Sequence, residues 1–186
     1  PPACRLTWRA RDGHFDINRY WEIPQPAMHM PKREELVERV DAALRESVRR
    51  QLVADVPLGA FLSGGIDSSL MVHYMTEAGA QSLETFTLAF AEEGFDETPY
   101  ARVVAETFGC RHHIIEAPVI DGPGFVDTIR TLDQPMADPA YVMTNALSKL
   151  TRKHVTVAIS GDGGDELFAG YPRFSNEAAR HPAHLG

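Results

Sequence analysis

Ser63-Gly64-Gly65-Ile66-Asp67-Ser68-Ser69 places two glycines, three hydroxyls and one carboxylate within seven residues, a set suited to holding pyrophosphate. Gly64 and Gly65 let the backbone come close to a ligand, and the free N–H groups that open a following helix favour an anion. Ser63, Ser68 and Ser69 add hydroxyl donors. A carboxylate beside phosphate is repelled unless a cation lies between them, and Mg²⁺ resolves the conflict because it is held by one or two carboxylates together with phosphate oxygens. Asp67 is therefore a candidate metal ligand. The loop lacks the Lys of a Walker A sequence, so an ordinary strand-to-helix turn is the competing reading.

A second loop shifts that balance. Ser160-Gly161-Asp162-Gly163-Gly164-Asp165-Glu166 carries three glycines and three acids. It is too acidic to grip phosphate directly, but it can supply a second metal carboxylate and a polar group for a substrate.

Both loops follow short apolar runs. Val56 to Leu62 is almost wholly apolar, as expected of a strand buried on both faces of a parallel sheet, and His154 to Ile159 reads as another strand. After the first loop, Leu70, Met71, Tyr74 and Met75 recur at helical spacing up to Gly79, a C′ residue. Leu83 to Phe90 and Arg111 to Glu116 are further strands, separated by a helix over 100–108. Two helices, near 125–132 and 140–153, precede the strand that ends at Ser160. This alternation predicts an α/β fold: a parallel twisted sheet flanked by helices. Both loops then emerge at the carboxyl edge, where open α/β sheets bind ligands.

Upstream, Pro31 suits the first turn of a helix with Glu34 and Glu35 near its positive end and Arg49 and Arg50 near its negative end. Leu36, Val37, Val40, Leu44, Val48 and Leu52 form its apolar stripe. Residues 1–31, with five prolines, Trp8, Trp21 and a turn at Asp12-Gly13, read as an irregular linker that packs its aromatics onto neighbouring structure.

With these residues in view, the first loop resembles the pyrophosphatase loop of N-type ATP pyrophosphatases. The run Ser160 to Tyr171 narrows the resemblance to the synthetase domain of glutamine-hydrolysing asparagine synthetases. Phe95-Asp96-Glu97, Tyr100-Ala101, His112-His113 and the run Asp133 to Pro139 also fit that domain, so the match spans roughly residues 20 to 175. The resemblance implies that ATP adenylates the side-chain carboxylate of aspartate with release of pyrophosphate, after which ammonia displaces AMP. It implies that Ser63, Gly64, Gly65, Asp67, Ser68 and Ser69 cradle the β,γ-phosphates, with Asp67 and Asp165 as Mg²⁺ ligands. By the same resemblance the backbone at Phe61 or Leu62 and at Leu88 holds adenine, and Ser160 and Gly161 flank the nucleotide. Asp162 matches the acidic residue associated with aspartyl-adenylate formation, a position where many members carry the longer Glu.

The family pattern also implies a domain layout: 1–31 as a linker from a missing N-terminal glutaminase domain, 32–175 as the ATP-binding synthetase domain, and 176–186 as a truncated tail. On that layout Cys4 is a connecting-strand residue, a catalytic lysine belongs to a later stretch, and the piece alone is inactive; Lys149 and Lys153, on the helix expected before the second loop, read as solvent-facing. Ammonia would come from glutamine, and a homodimer is the expected assembly of the full-length protein. Related β-lactam-forming or peptide-cyclising synthetases, and a catalytically silent nucleotide-binding module, are the alternatives.

Composition sets limits. A net charge of −8 argues against a nucleic-acid groove. Cys4 and Cys110 are too few for a disulfide framework and lack metal-site spacing, which fits a reducing cytoplasm. No apolar run is long enough to span a membrane. His112 and His113, near Cys110, invite a zinc reading, but adjacent strand residues point to opposite faces and cannot easily share one ion.

Overall fold

The computed structural model describes residues 1–24, 31–92, 94–138, 140–174 and 176. The expected tail thus lies almost wholly outside the described residues. The chain divides into two compact units, residues 1–39 and 40–186.

In the first unit, residues expected to be irregular are instead ordered as strands. Strands β1 (Cys4–Trp8) and β2 (Phe15–Arg19) form an antiparallel hairpin in which Leu6 faces Ile17 and Trp8 faces Phe15. Its turn falls where Asp12-Gly13 suggested, with Gly13 at φ 67° and His14 N donating to Asp12 Oδ1 at 3.1 Å. The hairpin arises because apolar residues alternate at 4, 6 and 8 and at 15 and 17, which puts one apolar face on both strands.

Helix α1 (Arg33–Gln51) carries Glu34 and Glu35 in its first turn and Arg49 and Arg50 in its last, as the dipole favours. Pro31 stands ahead of the helix instead of inside its first turn, since the first helical bond runs from Leu36 N to Lys32 O. The apolar stripe is narrower than expected. Val48 is buried, Leu44 and Leu52 pack against the core, and Val37 and Val40 are exposed.

The second unit is built on a four-stranded parallel sheet of order β5-β4-β3-β6. Its members are β3 (Leu58–Phe61), β4 (Glu84–Ala89), β5 (Arg111–Glu116) and β6 (Val157–Ile159). Helices α2 (Ile66–Glu77), α3 (Thr98–Thr107), α4 (Gly122–Arg130), α5 (Ala140–Thr151) and α6 (Gly164–Phe168) connect or follow the strands. Helix α4 begins earlier than its apolar residues suggested, because Asp121 caps it by accepting from Gly124 N at 2.8 Å. Among the described residues no helix is long and apolar enough to cross a membrane.

The core lies where α1, α2 and α3 meet β3: Val48, Ala60, Leu62, Val72, Tyr74, Met75, Ala101 and Ala105 are all buried. Large members such as Leu62 and Met75 each contribute about 1.5–3 kcal/mol over an exposed placement. A polar clamp reinforces the α1–α2 seam. The buried Tyr74 hydroxyl donates to Asp41 Oδ1 at 2.8 Å, Arg45 donates to Asp41 Oδ2 at 2.9 Å, and Arg45 also pairs with Glu77. Arg45 first, then Tyr74, hold the Asp41 carboxyl below its ordinary value.

Tyr74→Phe is expected to lower the melting temperature at neutral pH by roughly 2–4 °C, since a hydrogen bond contributes about 1 kcal/mol net. A depressed carboxyl contributes stability above its unfolded value and loses it as pH falls through its folded value. The gap between wild type and variant should therefore shrink on acidification below the ordinary carboxylate range. Calorimetric melts of both proteins across that range check this, and a gap that widens in acid would contradict it.

Candidate nucleotide site at the carboxyl edge

Strands β3 and β6 are direct neighbours, with Gly59 opposite Ala158 and Ala60 opposite Ile159. The loops that leave them, Ser63 to Gly65 and Ser160 to Gly163, therefore emerge side by side at one edge. Parallel strands deliver their following loops to the same end, so this adjacency is a consequence of the topology.

The first loop is tied down by its own hydroxyls. Ser63 Oγ lies 2.9 Å from Ser68 Oγ and accepts from Gly65 N at 3.2 Å, while Ser68 Oγ donates to Gly65 O at 3.2 Å. Ser68 is buried. Gly65 caps α2 without a side chain, leaving the first-turn N–H groups of Ile66, Asp67 and Ser68 free of intrahelical partners, as any helix start does. Gly64 sits at φ 82°, and a Cβ there would lie 2.5 Å from Ala101 N and from Tyr100 C. The glycine is needed twice over, for its backbone conformation and for close approach to α3. Gly79 ends α2 at φ 92°, the C′ role its position suggested.

Asp67 joins the two loops. A Cβ on Gly161 would lie 3.0 Å from Asp67 Cβ, and one on Gly164 would lie 2.5 Å from Asp67 Cγ and Oδ2. The carboxylate thus rests in a slot floored by two glycines. A cavity of about 260 Å³ borders Phe61, Ser63, Asp67, Ser68, Ser160, Gly161 and Asp162. A second, of about 410 Å³, shares Asp67 and the Ser160–Gly164 loop but continues between apolar side chains including Met71, Tyr74, Leu167 and Phe168. The smaller cavity collects the hydroxyls and carboxylates, and is the better seat for a phosphate chain.

Other candidates fall out unevenly. Ser160 Oγ donates to Asp162 Oδ2 at 2.8 Å, which orients an exposed carboxylate at the cavity rim. Asp165 borders neither cavity: its Oδ1 sits where a Cβ on Gly170 would be, 1.8 Å away. Its carboxylate is turned toward Gly170. Leu62 is sealed in the core, its N–H donating to Phe86 O at 2.9 Å and its C=O accepting from Thr87 Oγ1. Of the pair Phe61 and Leu62, only Phe61 borders the smaller cavity. Phe86 O faces Leu62 while Ala89 O accepts from Ala117 N at 2.8 Å, so alternation turns the N–H and C=O of Leu88 toward the β3 side, beyond the end of that strand. Leu88 thereby offers backbone groups next to the first loop.

Two acids close tight turns just ahead of α3 and α5. Asp96 accepts from Thr98 N at 3.2 Å and from Thr98 Oγ1 at 2.8 Å, and Asp138 accepts from Ala140 N at 2.9 Å. Asp133, Lys149 and Lys153 are exposed. His112 and His113 do point to opposite faces: His112 Nδ1 lies 3.0 Å from Thr85 Oγ1, and His113 Nε2 contacts Glu84. Burial first, then Arg102 and His113, push the His112 pKa below its ordinary value.

The residues fit a magnesium-bound triphosphate as far as Asp67, the Ser loop and the α2 N-terminus are concerned. Gly164→Ala tests the slot. Its φ lies outside the left-handed region, so the backbone accepts alanine, but the new methyl must displace the Asp67 carboxylate. The expected result is about a tenfold loss of Mg²⁺-dependent ATP affinity, about 1.4 kcal/mol, with little change in melting temperature. Calorimetric titration beside a thermal melt measures both, and unchanged affinity would show that Asp67 need not hold this position.

The chain is similar to several known proteins. The chain is 40% identical over 154 residues to a putative glutamine-hydrolyzing asparagine synthetase 2 of Methanocaldococcus jannaschii, covering 82% of this chain and 30% of that protein. It is 39% identical over 174 residues to the glutamine-hydrolyzing asparagine synthetase 1 of Bacillus subtilis, covering 91% and 27%. Amidase chry2 of Gibberella zeae is 30% identical over 207 residues, covering 95% and 31%. The chain therefore spans less than a third of the length of these relatives. In fold it is similar to the U34-tRNA thiolase NcsA from Methanococcus maripaludis, with a TM-score of 0.50 at 19% identity over 83% of this chain and 55% of that one. Residues 39–185 match the family described as Asparagine synthase, and with that match over most of its length the chain belongs to the asparagine synthase family.

Proposed function

We propose that this chain is the ATP-binding part of a synthetase that adenylates the side-chain carboxylate of aspartate and passes the acyl group to ammonia, releasing pyrophosphate and AMP. The observation that carries the reading is the Asp67 slot, where the pyrophosphate-type loop after β3 meets the acidic loop after β6. Ser63, Gly64, Gly65, Ser68 and Ser69 hold the β,γ-phosphates through hydroxyl and backbone donors. Asp67, joined by Asp165 after rotation, holds Mg²⁺, whose charge neutralises the departing pyrophosphate. Leu88 and Phe61 offer the adenine seat, Ser160 and Gly161 flank the nucleotide, and Asp162 stands at the rim where the aspartyl-adenylate forms. A protein nucleophile is unnecessary, because AMP itself converts a poor acylating carboxylate into a reactive one. In the longer protein, ammonia derives from glutamine hydrolysed in a glutaminase domain, and the site lies in the cytoplasm.

A second acceptor class has specific support in relatives named as amidases, at 30% identity. Pyrophosphate release by the longer protein carrying this chain decides between them. Release that depends on aspartate is expected. Release driven by a different carboxylate, with Mg²⁺-dependent ATP binding intact, would move the function to the second class.

A further inference from the structure

Away from the carboxyl edge, three side chains from three separate segments converge. Glu84 opens β4, His113 is the third residue of β5, and His154 lies between α5 and β6. One ligand atom of each lies within 4.8 Å of the other two. The His113 and His154 rings are 4.2 Å apart at 41°, and His113 stacks on the fully buried Phe86 at 5.0 Å and 11°. That stacking fixes the His113 ring so that Nε2 points at Glu84 Oε2.

We propose that Glu84, His113 and His154 form a binding site for a divalent transition-metal ion of the zinc class, toward the amino edge of the sheet and separate from the nucleotide loops. Two imidazoles and one carboxylate are a donor set that Zn²⁺ takes with a water in the fourth position, at metal–ligand distances of about 2.0–2.2 Å. A bound ion would replace the direct His113 Nε2–Glu84 Oε2 contact, with the exposed His154 completing the set. Arg111 Nη1 donates to the other Glu84 oxygen, Oε1, at 3.2 Å. It thereby holds one carboxylate oxygen while the other, Oε2, makes the His113 contact that a bound ion would replace, as outer partners of metal ligands do. Arg111 is 72% exposed along its side chain, so its charge is largely solvated and opposes a cation only weakly. The ion would clamp the end of α5 onto β4 and β5, a stabilising role and not a catalytic one.

Adjacent His112 takes no part, since it faces the other side of the sheet and bonds Thr85. This is why a search of neighbouring residues in the sequence does not find the trio.

The test uses the full chain stripped of metal. Zn²⁺ is titrated against a chromophoric chelator, Co²⁺ binding is followed by visible absorption, and melting temperature is recorded with and without Zn²⁺. One equivalent of Zn²⁺ should bind, Co²⁺ should give the intense bands of a low-coordinate site, and Zn²⁺ should raise the melting temperature by mass action. His154→Phe keeps the ring packing and removes a ligand, and Glu84→Gln keeps the Arg111 partner. Each should weaken Zn²⁺ binding by at least about tenfold, while the metal-free His154→Phe protein melts as wild type does. Absence of stoichiometric Zn²⁺ binding overturns the proposal, and so does undiminished affinity in both variants, which would place the ion on other histidines.

Discussion

Asp67→Ala should abolish most of the Mg²⁺ dependence of ATP binding. On the proposed role of Asp67, the variant loses a metal ligand, and a drop of about a hundredfold, on the order of 2.7 kcal/mol, is expected. Without Mg²⁺ the sign reverses. A carboxylate about 4 Å from a phosphate charge costs about 1 kcal/mol even at the dielectric of water, so removing it should leave metal-free binding unchanged or a few-fold tighter. The two titration curves, far apart in wild type, therefore converge in the variant. Calorimetry with and without Mg²⁺ measures all four values, and an undiminished metal effect would remove Asp67 from the cation site. Asp165→Ala should act in the same direction but less strongly, because that carboxylate rests against Gly170 and must swing to reach the slot.

The second large effect concerns folding. At Gly64, alanine would combine a left-handed backbone conformation with a methyl 2.5 Å from the backbone of α3. The conformational part costs roughly 1–2 kcal/mol and forced overpacking roughly 1–3 kcal/mol. At about 2–4 °C per kcal/mol for a chain of this size, melting should fall on the order of 10 °C. Gly79→Ala is the matched control, with a similar φ of 92° but nothing within 4 Å of the added methyl. It should cost only the conformational part. Equal losses at both glycines would mean that contact between the first loop and α3 contributes nothing.

Local chemistry made much of the architecture legible beforehand. The strand β5 has the bounds that its residues suggested, Arg111–Glu116. The first strand–loop–helix corner is present because apolar runs, glycines and helical spacing act over a few residues, whereas the short helix α6 after the second loop was read only as an apolar segment. The hairpin over Cys4–Trp8 and Phe15–Arg19 was also written in the chain, as apolar alternation on either side of Asp12-Gly13, but the density of prolines and the two tryptophans masked it. The Val37 and Val40 error has a different origin. Periodicity marks a stripe along α1, yet only the partner surface decides how much of the stripe is covered.

What the amino-acid order determined by itself was the set of groups available: a loop of glycines and hydroxyls, a second loop rich in acid, and a parallel sheet to present them at one edge. Which groups actually meet was decided by tertiary structure. Pairing of β3 with β6 brings Asp67 against Gly161 and Gly164, and the return of the chain after α5 brings His154 to His113 and Glu84. Short-range patterns cannot encode such encounters, because strand order and side-chain direction depend on the packing of segments far apart in the chain.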